Sequence, residues 1–117
     1  MPTFEPWDVI KVPFPYTDRP INQRRPAVVL AAGSIEASHG LLWILMVTSA
    51  ENRKWPDDVP VSNLSKAGLR IASVVRSVKI ATIEAASAKR IGNLSSRDSR
   101  RVADKVSRLL SGALTVR

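Results

Sequence analysis

Short, almost continuous apolar runs dominate the first half of the chain. One run occupies residues 26–32 and begins directly after Arg25, and another occupies residues 41–49 and ends in Thr48-Ser49. Runs this short and this rich in Val, Leu and Ile are typical of buried β-strands. The pattern therefore predicts two buried strands, each with a polar residue at one end.

Further strands are predicted on both sides of these two runs. They cover residues 8–14, 59–62, 72–76, 79–84 and 89–94. Between the strands, the density of Pro, Asn, Asp, Gly and Ser predicts a long polar loop over 15–24, a turn over 33–40 and a second polar loop over 50–58. The turn over 33–40 contains the single histidine of the chain, His39, which we interpret as a solvated loop residue.

The last part of the chain carries the one strong helical pattern. Ser95 is a plausible N-cap with Asp98 three residues later, and Gly112 is a plausible stop. The apolar positions between them follow a single helical stripe at Val102, Val106, Leu109 and Leu110. Many short strands followed by one helix predict a mainly β domain over residues 1–117, with a small, strongly bent antiparallel sheet or barrel and a C-terminal helix.

Composition supports one compact domain with a polyanionic partner. The chain has 117 residues, of which 44% are hydrophobic, so it can bury a core. Eighteen Lys and Arg against ten Asp and Glu give a formal net charge of +8. Such a charge favours nucleic acid, an anionic membrane surface or an acidic protein as partner, and does not choose among them.

Several function classes are excluded or disfavoured by composition. The chain has no cysteine, which excludes disulfides and thiolate metal sites, and one histidine argues against a His-built metal centre. We expect no metal and no cofactor. The N-terminal residues lack the features of a signal peptide, and no apolar run approaches the ~20 residues that a membrane-spanning helix needs. We therefore expect a cytoplasmic protein without membrane association.

The polar ends of the two central strands suggest phosphate chemistry. A guanidinium at the mouth of one strand (Arg25) and a hydroxyl at the end of another (Thr48) can converge on one phosphate. In a basic chain this pairing points toward RNA.

The motifs that carry this pairing resemble those of the MazF/PemK family of toxin endoribonucleases. They are Val12-Pro13-Phe14-Pro15-Tyr16-Thr17-Asp18, Arg25-Pro26-Ala27-Val28-Val29-Leu30, Val47-Thr48-Ser49, Gly68-Leu69, Ser73-Val74-Val75-Arg76, Thr82-Ile83 and Ile91-Gly92-Asn93-Leu94. They occur in the order that the family shows, and the similarity covers nearly the whole chain.

The resemblance implies a fold, partners and a reaction. The fold would be a Src-homology-3-like barrel with a terminal helix, assembled as a homodimer. The substrate would be single-stranded mRNA, and an acidic antitoxin would block the cleavage site in a complex that binds DNA. Arg25 and Thr48 would be the catalytic pair of a sequence-specific, metal-independent cleavage that leaves 2′,3′-cyclic phosphate and 5′-hydroxyl ends.

Other residues near the motifs are candidates for proton transfer and RNA binding. Asp18 and Glu51 lie near the two motifs and are candidates for proton transfer, because an arginine side chain holds its proton too strongly to be a good general base. The candidates for RNA binding are Arg24, Ser49, Arg53, Lys54, Trp55 and Arg76. They combine phosphate-neutralising charge with an indole ring on which an unpaired base can stack.

Two departures from the family pattern leave the identity of the general base and the cleavage specificity open. Many members carry a Glu-Gln-Gly loop before the Arg-Pro motif, where this chain has Pro20-Ile21-Asn22-Gln23-Arg24, and some carry Asp where it has Val78. Arg25 and Thr48 are not affected.

Two alternative functions are also considered. One is a topoisomerase poison of the CcdB type, which shares the barrel, and the other is a member that binds RNA or partners without cutting.

Overall fold

Six β-strands pair into one antiparallel sheet in a computed structural model, which describes residues 3–13 and 24–114. The elements in chain order are β1 (Asp8–Pro13), β2 (Arg24–Ala31), α1 (Gly33–His39), β3 (Leu41–Ser49), β4 (Asp58–Pro60), α2 (Leu64–Ala67), β5 (Ser73–Glu84), a 3₁₀ turn (Ala85–Ser87), β6 (Lys89–Asn93) and α3 (Ser96–Ala113). The strand order across the sheet is β4-β5-β3-β2-β1-β6. The predicted mainly β fold with a C-terminal helix is therefore confirmed.

The sheet is bent but does not close into a barrel within the described residues. Its edge strands, β4 and β6, do not pair with each other. A register shift lies between Leu45 and Met46, which face Ile80 and Arg76 of β5, so residues 77–79 form a bulge. Such a bulge bends a strand without ending it. The two strands predicted over 72–76 and 79–84 are consequently one continuous strand.

Both faces of the central strands are buried, which explains their unbroken apolar sequence. Neighbouring residues of one strand point to opposite faces of a sheet. Val28 and Leu45 belong to a core cluster on one face, whereas Val29 and Ile44 belong to a cluster on the other, and all four are fully buried. Each fully buried side chain of this size contributes about 1.5–3 kcal/mol. The predicted buried strands are thus confirmed, and their packing fixes the polar strand ends in space.

Helix α3 is fastened to the sheet at its N-terminus. The Ser95 hydroxyl accepts a hydrogen bond from the Asp98 amide at 3.2 Å, as expected of an N-cap. The Asp98 carboxylate is fully buried and accepts hydrogen bonds from the amide and the hydroxyl of Ser62, both at 2.8 Å. Further along, Val102 and Val106 enter the core, while Leu110 is half exposed. Asp98 therefore connects the helix start to the segment after β4.

Three sequence expectations about helices are corrected. Residues 33–39 form the helix α1 instead of a turn, and α2 is a further short helix. Both are too short to produce a clear apolar period, although α2 buries Ala67. Helix α3 continues through Gly112 to Ala113, where the Leu114 amide still donates to the Leu110 carbonyl. None of the helices in the described ranges is long and apolar enough to cross a membrane.

Gly68 is needed where α2 meets β6. It ends α2 in the left-handed region at φ 71°. A Cβ atom at this position would overlap the carbonyl group of Ile91. Glycine meets both demands, because it lacks the Cβ atom that opposes positive φ and close backbone contact. The close approach fixes the start of the segment 68–71, which borders the cavity described next.

Candidate active site

The start of β2 lies beside the end of β3, and this register brings the two predicted strand-end residues together. Ala27 faces Met46 across the antiparallel pair. Continuing the same register by two residues places Arg25 level with Thr48. Both residues line a cavity of about 470 Å³ at this end of the sheet. The structure therefore brings the two predicted strand-end residues to one cavity.

The cavity has a strongly cationic lining. Its lining residues within the described part of the chain are Lys11, Arg24, Arg25, Pro26, Val47, Thr48, Ser49, Asn52, Gly68, Leu69, Arg70, Ile71 and Ser73. Four of these side chains are cationic, and none carries a carboxylate. The cations come from β1, β2 and the segment after α2, and all four are solvent-exposed. Positive charge that is not balanced locally attracts a polyanion.

The Thr48 hydroxyl is held by a neighbouring loop residue. The Asn52 side-chain amide donates a hydrogen bond to the Thr48 Oγ1 atom at 2.6 Å. The same turn is closed by two bonds to Ser49, which accepts from the Glu51 amide through its hydroxyl at 3.2 Å and from the Asn52 amide through its carbonyl at 3.0 Å. The turn therefore presents Thr48 and Asn52 together at the cavity wall.

Arg76 lies in a separate, buried cluster. Its guanidinium donates to the Arg53 carbonyl at 2.6 Å and forms an ion pair with the Asp58 carboxylate at 3.4 Å. The indole of Trp55 covers it, with 4.2 Å between the guanidinium carbon and the ring centroid, and Lys79 approaches the same ring at 5.6 Å. Arg76 does not line the cavity, and its charge is matched by an adjacent carboxylate.

The remaining predicted site residues lie in three different settings. Arg24 and Ser49 line the cavity with Arg25 and Thr48. The loop after β3 carries the exposed residues Glu51, Arg53, Lys54 and Trp55, which are not part of the cavity lining. Asp18 lies outside the described residues.

Four polar lining residues were not among the predicted site residues: Lys11, Asn52, Arg70 and Ser73. Lys11 is the one charged residue between Val9 and Pro13, a signal that could have been noticed. Asn52 and Arg70 sit in polar segments whose sequence does not reveal which side chains face the end of β3. Ser73 faces Ser49 across the β3–β5 pair, a contact that depends on long-range register.

No cluster of three or more His, Asp or Glu side chains suitable for holding a metal ion occurs in residues 3–13 and 24–114.

Comparison with protein families identifies this arrangement. Residues 5–110 match the model of the PemK-like, MazF-like toxin of type II toxin-antitoxin systems. The match covers most of the chain, and the chain belongs to this family of toxins. A search of curated protein sequences finds no match.

Solved structures support the same fold at low sequence identity. MazF from Deinococcus radiodurans has a TM-score of 0.74 and 21% identity, over 95% of this chain and 99% of that chain. A MazE-MazF complex from the same organism has a TM-score of 0.73 and 21% identity, over 94% and 97% of the two chains. An endoribonuclease in complex with its cognate antitoxin from a mycobacterial species has a TM-score of 0.71 and 11% identity, over 94% and 97%.

Proposed function

We propose that this toxin is a sequence-specific endoribonuclease that cleaves single-stranded mRNA and thereby inhibits translation and growth. The observation that carries the proposal is the convergence of Arg25 and Thr48 in a cavity whose lining has four cations and no carboxylate. Family membership supports it, and so does the structural likeness to a protein described as an endoribonuclease.

The proposed reaction is an internal transesterification at phosphorus. The 2′-oxygen of one nucleotide attacks the adjacent phosphorus and loses its proton, while the bond to the 5′-oxygen breaks and that oxygen gains a proton. The products are a 2′,3′-cyclic phosphate and a 5′-hydroxyl. Negative charge accumulates on the phosphoryl oxygens along this path, so fixed positive charge and hydrogen-bond donors lower the barrier.

Arg25 and Thr48 are the proposed catalytic residues. The Arg25 guanidinium can hold two phosphoryl oxygens in a fixed fork, which supplies both charge and orientation. The Thr48 hydroxyl can donate a hydrogen bond to a phosphoryl oxygen or orient the 2′-hydroxyl. Asp18 and Glu51 remain the predicted candidates for proton transfer. This chemistry draws on the protein's own side chains and assigns no metal or cofactor.

The other predicted contacts with RNA divide by position. Arg24 and Ser49 border the cavity and are proposed to hold the phosphates next to the cleaved bond. Arg53, Lys54 and Trp55 are exposed on the loop after β3, where charge and an aromatic face suit unpaired nucleotides further along the strand. Arg76 is proposed to act on RNA only through this loop, because its guanidinium is covered by Trp55.

The decisive experiment is cleavage of a long single-stranded RNA in EDTA, with mapping of the new ends. Wild-type protein should give discrete cuts with 5′-hydroxyl ends. Arg25→Ala should slow cleavage by about 10²–10³-fold, because one charge-stabilising group is lost. Its thermal unfolding midpoint should not fall, since Arg25 is exposed and its removal relieves repulsion among the four cations of the cavity.

The matched control is Arg108→Ala on α3. Arg108 is also exposed, pairs with Asp104 four residues earlier at 3.1 Å and does not line the cavity. The Arg108→Ala variant should cleave RNA like the wild type. Intact RNA with a folded wild-type protein that still arrests growth would overturn the proposal and favour a toxin that poisons topoisomerase by protein binding. Harmless expression with RNA binding would favour a member that does not cut.

An acidic antitoxin is the proposed protein partner. MazF from Deinococcus radiodurans was solved together with MazE, and the mycobacterial endoribonuclease was solved in complex with its cognate antitoxin. The formal net charge of +8 and the cationic cavity favour an acidic segment that covers the site. The toxin–antitoxin complex is proposed to bind DNA, and the proposed location is the cytoplasm, where mRNA is available.

A homodimer is proposed from an exposed apolar surface, which contrasts with the cationic cavity. Trp43, Ile80 and Leu110 are between 44% and 50% exposed and border a shared apolar depression of about 380 Å³. Exposed apolar patches of this kind favour association. Trp43→Asp should convert a dimer into a monomer in sedimentation experiments. Trp55→Asp changes another exposed tryptophan outside this depression and should leave the dimer intact; equal masses for all three proteins would contradict the assignment.

A further inference from the structure

Asn52 contacts the Thr48 hydroxyl from the side of the loop that follows β3. The Asn52 Nδ2 atom lies 2.6 Å from Thr48 Oγ1, and both side chains line the cavity. Neither the family motif Val47-Thr48-Ser49 nor the sequence pattern drew attention to Asn52. Its role follows from this contact.

The direction of this hydrogen bond determines what the Thr48 hydroxyl can still do. A hydroxyl has one proton to donate and two lone pairs that accept. Because the Asn52 amide donates to Thr48, it occupies a lone pair and repels the hydroxyl proton. The proton is therefore available for an acceptor in the cavity. A phosphoryl oxygen held by Arg25 is such an acceptor.

The loop that carries Asn52 is fixed on both sides. On one side, the backbone amide of Asn52 donates to the Ser49 carbonyl at 3.0 Å. On the other side, buried Arg76 donates to the Arg53 carbonyl at 2.6 Å. Asn52 is exposed, but these backbone bonds limit the positions that its side chain can reach. A donor fixed before the substrate arrives avoids reorganisation during the reaction.

We infer that Asn52 is a positioning residue, which directs the Thr48 hydroxyl proton toward the scissile phosphate. The inference rests on the proposed ribonuclease function and adds a residue to it. Asn52 acts through Thr48, and its effect disappears when Thr48 has no hydroxyl.

A double-mutant cycle tests this dependence. The substrate is a fluorogenic RNA oligonucleotide that contains a cleavage site mapped with the wild type. Thr48→Val removes the hydroxyl with little change in shape and should lower kcat about 100-fold. Asn52→Ala should lower kcat about 5–10-fold, the usual value of one hydrogen bond, with KM unchanged within about twofold. In the Thr48→Val background, Asn52→Ala should have no further effect.

A second variant reverses the hydrogen bond. In Asn52→Asp the carboxylate can only accept, so the Thr48 proton turns away from the cavity. This variant should lose activity nearly as far as Thr48→Val. Ala50→Asp is the matched control, because it adds the same charge at another exposed position of the same loop and leaves Asn52 in place. It should cost much less activity than Asn52→Asp. Thermal unfolding of each variant shows that it is folded.

The outcomes separate this inference from the proposed function. Equal losses from Asn52→Ala with and without the Thr48 hydroxyl would overturn it, because Asn52 would then act independently. A rise in KM alone would also overturn it and would make Asn52 a simple RNA contact. In both cases the wild type still cleaves and the proposed function stands. RNA left intact by the folded wild type would instead reject the function, and the inference with it.

Discussion

Arg25 and Arg76 are the same residue type on neighbouring parts of one sheet, yet their surroundings differ in every respect. Arg25 is exposed in a cavity lined by three further cations and no carboxylate. Arg76 is buried, lies beneath the Trp55 ring and pairs with Asp58. Charge left unbalanced at the surface repels itself and lowers stability unless an anion arrives, whereas a buried ion pair becomes destabilising when one of its partners is removed.

Position in the sheet decides the role of each arginine. Arg25 stands at the start of β2, where it pairs with Val12 of β1 and remains exposed to solvent. Arg76 lies within β5 opposite Asp58 of the short edge strand β4. The contrast between the exposed Arg25 and the buried, paired Arg76 predicts effects of decreasing size on stability, nucleic-acid affinity and salt dependence.

Arg76→Ala should act mainly on stability, in contrast to the loss of cleavage expected of Arg25→Ala. Removing one partner leaves the Asp58 carboxylate buried without its counter-charge, which costs about 3 kcal/mol. Urea unfolding measures this free energy. The cleavage rate of the folded fraction should fall less than about tenfold, because only the loop that carries Asn52 loosens.

The double variant Arg76→Ala with Asp58→Asn tests whether the unpaired Asp58 carboxylate causes the loss of stability. It removes the buried charge but keeps an acceptor for the Trp55 amide, which donates to Asp58 at 3.0 Å. About 1 kcal/mol of stability should return. If Arg76→Ala instead keeps full stability and loses cleavage as far as Arg25→Ala, the contrast between the two arginines fails.

A carboxylate introduced into the cavity should make it resemble the Arg76 cluster. Ile71 lines the cavity and is 61% exposed, so Ile71→Glu places an acid among the four cations without disturbing the core. Affinity for a single-stranded DNA of the cleaved sequence, which lacks the 2′-hydroxyl and stays intact, should fall about tenfold. Fluorescence anisotropy measures this affinity. Ile71→Gln matches the size without the charge and should bind like the wild type; equal losses in both variants would attribute the effect to shape.

The smallest expected effect is a change in salt dependence. Affinity for a single strand falls as the salt concentration rises. Each cation that contacts phosphate steepens the slope of log affinity against log salt by about 0.7. Lys11→Ala and Arg70→Ala should each make this slope shallower by about 0.7 in the same binding assay. Arg76→Ala should leave it unchanged, because its charge is already paired. A shallower slope for Arg76→Ala would place a phosphate of the bound strand at the Arg76 cluster.

The sequence predicted the central strands, the capped start of α3 and the pair Arg25 and Thr48. The prediction of a turn at α1 was wrong, because this helix has seven residues, none of them buried, and shows no apolar period. The sequence pattern also predicted two strands where the structure has the single strand β5. The reason is that the bulge over 77–79 interrupts the alternation of apolar and polar positions. Patterns that repeat along one strand or helix could be recognised in the sequence. Features that depend on contact with another strand or helix could not.

The candidate site divides in the same way. Arg25 and Thr48 adjoin apolar runs that have strong local patterns, so their strand-end positions follow from the sequence. Asn52, Arg70 and the buried setting of Arg76 depend on register, a bulge and a loop, which are fixed only when distant segments pack. The sequence by itself determined which residues stand at the strand ends, because hydrophobic patterning is local. Tertiary structure decided which cations remain unbalanced, because burial and pairing are properties of the assembled fold.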